Sequence, residues 1–242
     1  MKNSNFLLNA DLINITEKIS IRIPAVKEIL ENEQLYFHII TAFTATPYQY
    51  MVQLDDMGID YTQVSDYDLF TMLFPQYAKW DLSILFGSLF LSDYKVCHDP
   101  VNSTKILYSP TNGPDYKIDE LVYMRLSEAL RKINNLERVS AKPGNEEAKR
   151  YLMEKERKKM RRNAGRQTEP YFEKLVIALV NRPEFKYNYE EVMQLSIYNF
   201  QQSVKQIETN IAFDKTILGI YSGSIDTSKI KDKSCLSWMP AR

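Results

Sequence analysis

Residues 142–166, KPGNEEAKRYLMEKERKKMRRNAGR, limit what the rest of the chain can fold into. Pro143 with Gly144 marks a turn at one end and Gly165 a break at the other. Between them, residues 146–163 are almost all Glu, Lys, Arg, Met and Ala, strong helix formers that predict one uninterrupted helix. Ten cations (Lys142, Lys149, Arg150, Lys155, Arg157, Lys158, Lys159, Arg161, Arg162 and Arg166) stand against Glu146, Glu147, Glu154 and Glu156, a local net of +6. Tyr151, Leu152 and Met160 supply only a thin apolar stripe, so most of this helix faces water. It divides the chain into a mixed region over 1–140, a basic connecting helix over 141–167 and a helical region with a polar tail over 168–242.

The whole chain carries 31 basic and 31 acidic residues, so the excess of cations here is matched elsewhere. Asp55, Asp56, Asp60, Asp66, Asp68 and Asp81 fall in a stretch whose one basic residue is Lys79. Three readings fit this cluster. Carboxylates can hold magnesium for phosphoryl chemistry. They can favour helix N-termini through the dipole, the simplest reading for Asp66 and Asp68. They can also pair with the basic helix, within the chain or between subunits. With no net charge overall, attraction of a polyanion has to come from a local patch.

Regular structure can be read in chain order. Residues 1–14 suggest a weakly ordered start or a short helix. Residues 15–23 end as a half-buried strand, with Ile19, Ile21 and Ile23 on one face. Pro24 opens helical segments over 25–33 and 35–43. Pro47 opens another, with Gly58 as its left-handed cap. Ser65 and Asp68 form a variant capping box, and the helix they start is expected to stop at Pro75. The apolar run within 79–91 is read as a buried helix. Short β-like runs fill 94–108, residues 116–118 could add a third, and all would join the early strand in one small antiparallel sheet. A helix from about 118 to 134 carries Leu121, Met124, Leu126, Leu130 and Ile133 as its buried stripe. Beyond the basic helix come segments over 169–181, 189–195 and 199–211, then one capped by Asp214. The expected fold is thus α+β and predominantly α-helical, with a small antiparallel sheet in the N-terminal region and a helical C-terminal region.

Motifs for catalysis are scarce. A zinc site needs three or four ligands, and the four Cys and His residues are scattered except for adjacent Cys97 and His98. Neighbours in a strand point to opposite faces, which disfavours a Cys–His nucleophile pair. Two cysteines far apart read as free thiols in a reducing compartment. No phosphate loop or dinucleotide fingerprint occurs. No enzyme, cofactor or metal is expected. No window is long and apolar enough to span a membrane, so a cytoplasmic location is expected.

Two features admit nucleic acid. Lys158, Lys159, Arg161 and Arg162 could neutralise phosphates, though interleaved glutamates weaken that reading. Residues 191–208 have the length of a helix-turn-helix, with Gln201, Gln202, Lys205 and Gln206 on the second helix. Its turn lacks glycine and its second helix has one cation.

The stretches LDDMGIDYTQVSDYDLF, LVNRPEFKYNYEEVMQLSIYNF and GIYSGSIDTSKIKDKSCLSWM, the last with its Leu236-Ser237-Trp238 tip, resemble small assembly and structural proteins of tailed bacteriophages. They are similar in style to tail assembly chaperones. The resemblance implies a non-enzymatic morphogenesis protein, located in the host cytoplasm or the virion, that binds another phage structural protein, such as a tape-measure or tail protein. Leu236, Trp238 and Met239 are the candidate contact residues. Nucleic acid stays open as an alternative partner, and so does a homo-oligomer.

Overall fold

The computed structural model describes residues 6–99, 103–165 and 170–239. The alternation of Ile19, Ile21 and Ile23 does bury one face of a strand, and all three side chains are in the core. That strand, β2 (Ser20–Arg22), needs a partner for its backbone groups and finds it in β1 (Leu12–Asn14), antiparallel with Ile13 opposite Ile21. The start of the chain is therefore a 3-10 turn at Leu7–Asn9 followed by a strand, not a helix.

Pro24 then leads into α1 (Val26–Glu31) and α2 (Glu33–Thr44). The Glu28 carboxylate accepts from the Ala25 amide at 2.8 Å and steadies the first turn of α1. α3 (Met51–Asp56) is followed by Gly58 at φ 73°, the left-handed position its sequence predicts. α4 (Asp66–Tyr77) starts on the predicted cap, Ser65 Oγ accepting from the Asp68 amide at 3.0 Å. Pro75 lies inside α4 rather than ending it. So near the C-terminus a proline removes only the one bond to the carbonyl four residues back, and the Ala78 amide still bonds Phe74 at 2.8 Å.

The expected helix over 79–91 shrinks to α5 (Ser83–Phe86), closed by Gly87 at φ 58°. β3 (Lys95–His98) and β4 (Lys105–Tyr108) form a second antiparallel hairpin, to which residues 116–118 add a single bridge at Ile118. The expected single sheet is thus two separate two-stranded hairpins, each strand pairing with its neighbour in sequence.

α6 (Glu120–Ile133) is capped by Asp119 and buries Val122, Leu126, Ala129, Leu130 and Ile133. Leu121 and Met124, expected in that stripe, are exposed. At 3.6 residues per turn they sit roughly 150° around the axis from Leu126. α7 (Glu146–Asn163) is the predicted basic helix, with Asn145 accepting from the Ala148 amide at 2.7 Å. Arg166, at the end of the basic stretch, lies outside the described residues, as does Glu169, the expected start of the next helix.

α8 (Phe172–Val180), α9 (Tyr189–Gln194) and α10 (Ile197–Tyr221) follow. The expected break near Asp214 does not occur. Asp214 is exposed and no Gly or Pro interrupts residues 197–218, so one helix of 25 residues continues through it.

The fold is α+β and predominantly helical. Its core is aromatic. Phe70 stacks on Tyr123 at 4.5 Å, and Phe43 touches both Phe70 and Phe86. Ring contacts continue from Phe37 to Phe172 and on to Phe200, which draws α8 and α10 onto α2. Glu33 of α2 accepts from the Tyr171 and Phe172 amides at 2.7 and 2.8 Å, capping α8 from another part of the chain. The link between α9 and α10 is pinned in the same way: the Val26 amide bonds Leu195 O and the Ile197 amide bonds Pro24 O. Among the described residues, no helix is long and apolar enough to cross a membrane.

Candidate interaction surfaces

The basic helix has two unlike faces. Its inward face carries Lys149, Leu152, Met153, Glu156 and Arg157, all half-buried at helical spacing. Leu152 and Met153 pack against a small cluster built on Met51, Val52, Leu54 and Tyr61. Arg157 then reaches both Asp55 and Asp56, at 2.7 and 2.6 Å, and Lys149 reaches Asp60 at 2.7 Å. The bond from Lys149, with further bonds from Thr62, lowers the Asp60 carboxyl to about 2. Hydrogen bonds to the same carboxylates hold Lys149 and Arg157 more firmly protonated.

The rest of the acidic cluster is also engaged. Asp66 receives a fork of two bonds from Arg138, at 2.8 and 2.9 Å, and Asp68 pairs with Lys105 at 2.6 Å. Asp81 caps the turn at Ser83. Each of the six aspartates thus has a basic or backbone partner. Among the described residues no group of three or more His, Cys, Asp or Glu side chains could hold a metal ion. Cys97 and His98 occupy successive positions of β3, and both cysteines are free thiols.

The outward face of α7 is different. Tyr151, Glu154, Lys155, Lys158, Arg161 and Arg162 line an open depression of about 530 Å³. Lys158 lies 3.9 Å from Glu154, and Lys159 pairs with Glu156 at 3.2 Å. Arg150, Lys155, Arg161 and Arg162 meet no carboxylate among the described residues. Four of the candidate phosphate-binding cations are therefore brought together on the last turns of one helix. Gln201, Gln202 and Lys205 lie on α10 instead. There the two glutamines are half-buried and Lys205 is exposed, while Gln206 donates to Asn210 and to the Trp238 carbonyl.

The third surface is the C-terminal arm. No side chain after Ile207 is buried among the described residues, although α10 continues to Tyr221. Leu218 is 70% and Tyr221 85% exposed. At the end of α10, Gly223 adopts φ 73° and the Ser224 and Ile225 amides bond the Gly219 carbonyl. Ile225 then lies on Gly219 so closely that a Cβ there would come within 2.5 Å of it. This reversal turns the tail back along α10. Leu236, Trp238 and Met239 end up beside the helix with much of their surface open, Trp238 at 57%. Leu218 and Tyr221 were not among the residues singled out from sequence. The available signal was the group Ile217, Leu218, Ile220 and Tyr221, which covers too many sides of one helix for a single buried stripe.

Residues 160–241, about a third of the chain, match a family described as the YomV second domain. That family is phage-derived. It begins in the last turns of α7 and takes in α8, α9, α10 and nearly all of the tail. No curated protein and no solved structure matches the chain.

Proposed function

We propose that this protein is a non-enzymatic phage morphogenesis factor that binds another phage structural protein through its C-terminal arm. The observation that carries the reading is the arm itself. Beyond Ile211, the last residue of α10 packed against the core, the chain holds half-buried Ile217 and exposed Leu218, Tyr221, Leu236, Trp238 and Met239. Large apolar side chains left open together mark a contact surface. The arm also lies within the stretch that matches a phage-derived family. Its partner would offer an apolar helix or strand to Leu218, Tyr221, Trp238 and Met239, with polar groups around it for the exposed Asp, Lys and Ser residues that share the arm. The tail assembly chaperone role and a tape-measure or tail partner are the specific forms of this proposal.

Photo-crosslinking tests it. A photoreactive residue at Leu218, Tyr221 or Trp238, in cells producing the phage, should join the protein to one virion component identified by mass spectrometry. The same residue at exposed Glu147 should not. Crosslinks only to host proteins, or an equal yield from both sets of positions, would sink the proposal.

A second reading rests on Lys158, Lys159, Arg161 and Arg162 in the last turns of α7, of which Arg161 and Arg162 meet no carboxylate among the described residues. There the helix would contact nucleic acid through phosphates. It predicts DNA affinity that falls steeply with salt and is lost when Lys158, Lys159, Arg161 and Arg162 become Ala. No affinity at low salt ends it.

A further inference from the structure

A cavity of about 800 Å³ opens between the segment after α2, the start of α4, the outer side of α6 and the connection leading to α7. That is a fitting size for a small-molecule site. Its walls differ from the rest of the molecule in one respect. Six buried side-chain polar atoms find no hydrogen-bond partner among the described residues, and four belong to residues lining this cavity: Tyr61 Oη, Tyr123 Oη, Ser127 Oγ and Arg131 Nε. Native proteins leave very few such atoms unpaired, so four in one wall call for an explanation.

Three of the four come from one face of α6. Tyr123, Ser127 and Arg131 follow at i, i+4 and i+8, and so stand above one another on successive turns. The Tyr123 and Ser127 hydroxyls are near neighbours whose contact is weak and falls short of hydrogen-bond geometry. Arg131, only 14% exposed at its side chain, gives one nitrogen to the Thr44 carbonyl at 2.8 Å and keeps its Nε free. Its nearest carboxylate is Asp66 at 3.9 Å, already held by the two shorter bonds from Arg138. Two guanidinium groups thus share one carboxylate on this wall. Tyr61, in the 3-10 turn Tyr61–Gln63 before α4, supplies the fourth atom.

The chemistry of these groups selects a ligand. A guanidinium Nε only donates, and all three hydroxyls can donate. The lining charges, Arg131, Lys132, Arg138 and Lys142 against Asp66, Glu120 and Glu128, leave one net positive charge, and with these donors it calls for an acceptor-rich negative group held by charge-assisted bonds. The remaining lining includes the Tyr48 and Tyr67 rings, Val64 and Leu136, suited to a flat apolar body.

We propose that this cavity binds a small organic anion, with Arg131, Ser127 and Tyr123 meeting its acidic group and Tyr61 and Tyr48 flanking its body. Water does not reach the four atoms in the free protein. The ligand meets them as the Ser127 and Arg131 side chains turn toward the cavity, and it is the first partner these atoms acquire. The site is separate from the C-terminal arm, and neither reading depends on the other.

Calorimetric titration of the full chain tests this with adenosine monophosphate as a phosphate probe, 4-hydroxyphenylacetate as a carboxylate probe and adenosine as the uncharged control. At least one anion should bind saturably, one to one, and adenosine at least roughly tenfold more weakly, as loss of a charge-assisted bond implies. Whichever anion binds better names the acidic group. Tyr123→Phe and Ser127→Ala should each weaken it about fivefold, the effect of roughly one hydrogen bond. In the free protein the same variants should leave Tm unchanged or raise it, because each deletes a hydroxyl that has no partner. Failure of both anions to saturate at millimolar concentration overturns the proposal. So does unchanged anion affinity in both variants, or a clear fall in Tm, which would mean the hydroxyls were partnered already.

Discussion

The aromatic core and the C-terminal arm are built from similar residues and do opposite things with them. Around Phe70 the rings are fully enclosed, and they touch rings from α2, α4 and α6. Along α10 beyond Ile207, aliphatic and aromatic residues of comparable size have only the returning tail for cover. The difference lies in how many elements converge. A helix buries an apolar face when other elements close over it, and the distal half of α10 has outrun them. Most of the enclosed side chains lie in the first region and in the helices packed on it, and the end of α10 carries those that no other element of the described residues closes over.

The sharpest way to break the comparison is to truncate one ring in the core. Phe70→Ala removes a side chain in contact with Phe43, Tyr67, Phe74 and Tyr123. It should cost about 3–5 kcal/mol in denaturant unfolding, the usual range for a buried phenylalanine. A cost under about 1 kcal/mol, the level of an ordinary surface change, would show that this cluster is not the centre of the fold.

Next in size is the polar tie between α2 and α6. The Tyr36 hydroxyl donates to Asn134 Oδ1 at 2.8 Å with both residues buried, and Asn134 Nδ2 donates to the Leu130 carbonyl at 3.0 Å. Tyr36→Phe leaves the Asn134 oxygen without a partner, a loss of about 1–3 kcal/mol. The same substitution at Tyr123 is expected to cost nothing, so the pair separates a hydroxyl that is bonded from one that is not.

The ion pairs that fasten α7 come third, and their effect should be local. Asp60 titrates near about 2 when bonded by Lys149, below the roughly 3.9 of a free aspartate. A lowered folded value means the pair contributes fully above the unfolded value and is lost as pH falls through the folded one. Amide protection near residue 149 should therefore decline between about pH 4 and pH 2, and in Lys149→Met that decline should be much smaller, leaving the part due to Arg157 with Asp55 and Asp56. Because the carboxylates of these pairs, Asp55 and Asp60, are open to water, high salt should loosen the same helix. Protection that ignores both acid and salt would show that Leu152 and Met153 alone hold α7.

Much of this arrangement could be read in the sequence where one signal had one meaning. Ser65 with Asp68, Gly58, the isoleucine alternation before Pro24 and the helix-forming run at 146–163 each depend on neighbouring residues, and each is found where expected. The suggestion that the acidic stretch pairs with the basic helix also holds, for Asp55, Asp56 and Asp60. What the sequence withheld depended on distant partners. That β2 pairs with β1 and not with β3 or β4 is decided by which strand is close at hand, not by alternation. Leu121 and Met124 look as apolar as Leu126, yet the side of α6 that is buried is set by α2 and α4. Glu33 capping α8 spans 139 positions to Phe172 and leaves no local trace. The cavity wall is hidden for the same reason: Tyr61 and Tyr123 come from separate elements, and nothing in either neighbourhood marks their hydroxyls as unpaired.

The smallest stability effect is expected in the arm, and it bears most directly on function. Leu218→Ser and Tyr221→Ser replace side chains that are largely in water before and after the change. Surface substitutions of this kind shift stability by no more than about 0.5 kcal/mol. If these residues are a contact surface, the pair should nevertheless abolish crosslinking from Trp238 while leaving the unfolding curve in place. A buried role would give the reverse, a lowered midpoint with partner contact retained in whatever protein stays folded. Residues that matter to a partner and not to the fold are what distinguish an interaction arm from an incomplete core, and the double variant measures both quantities in one protein.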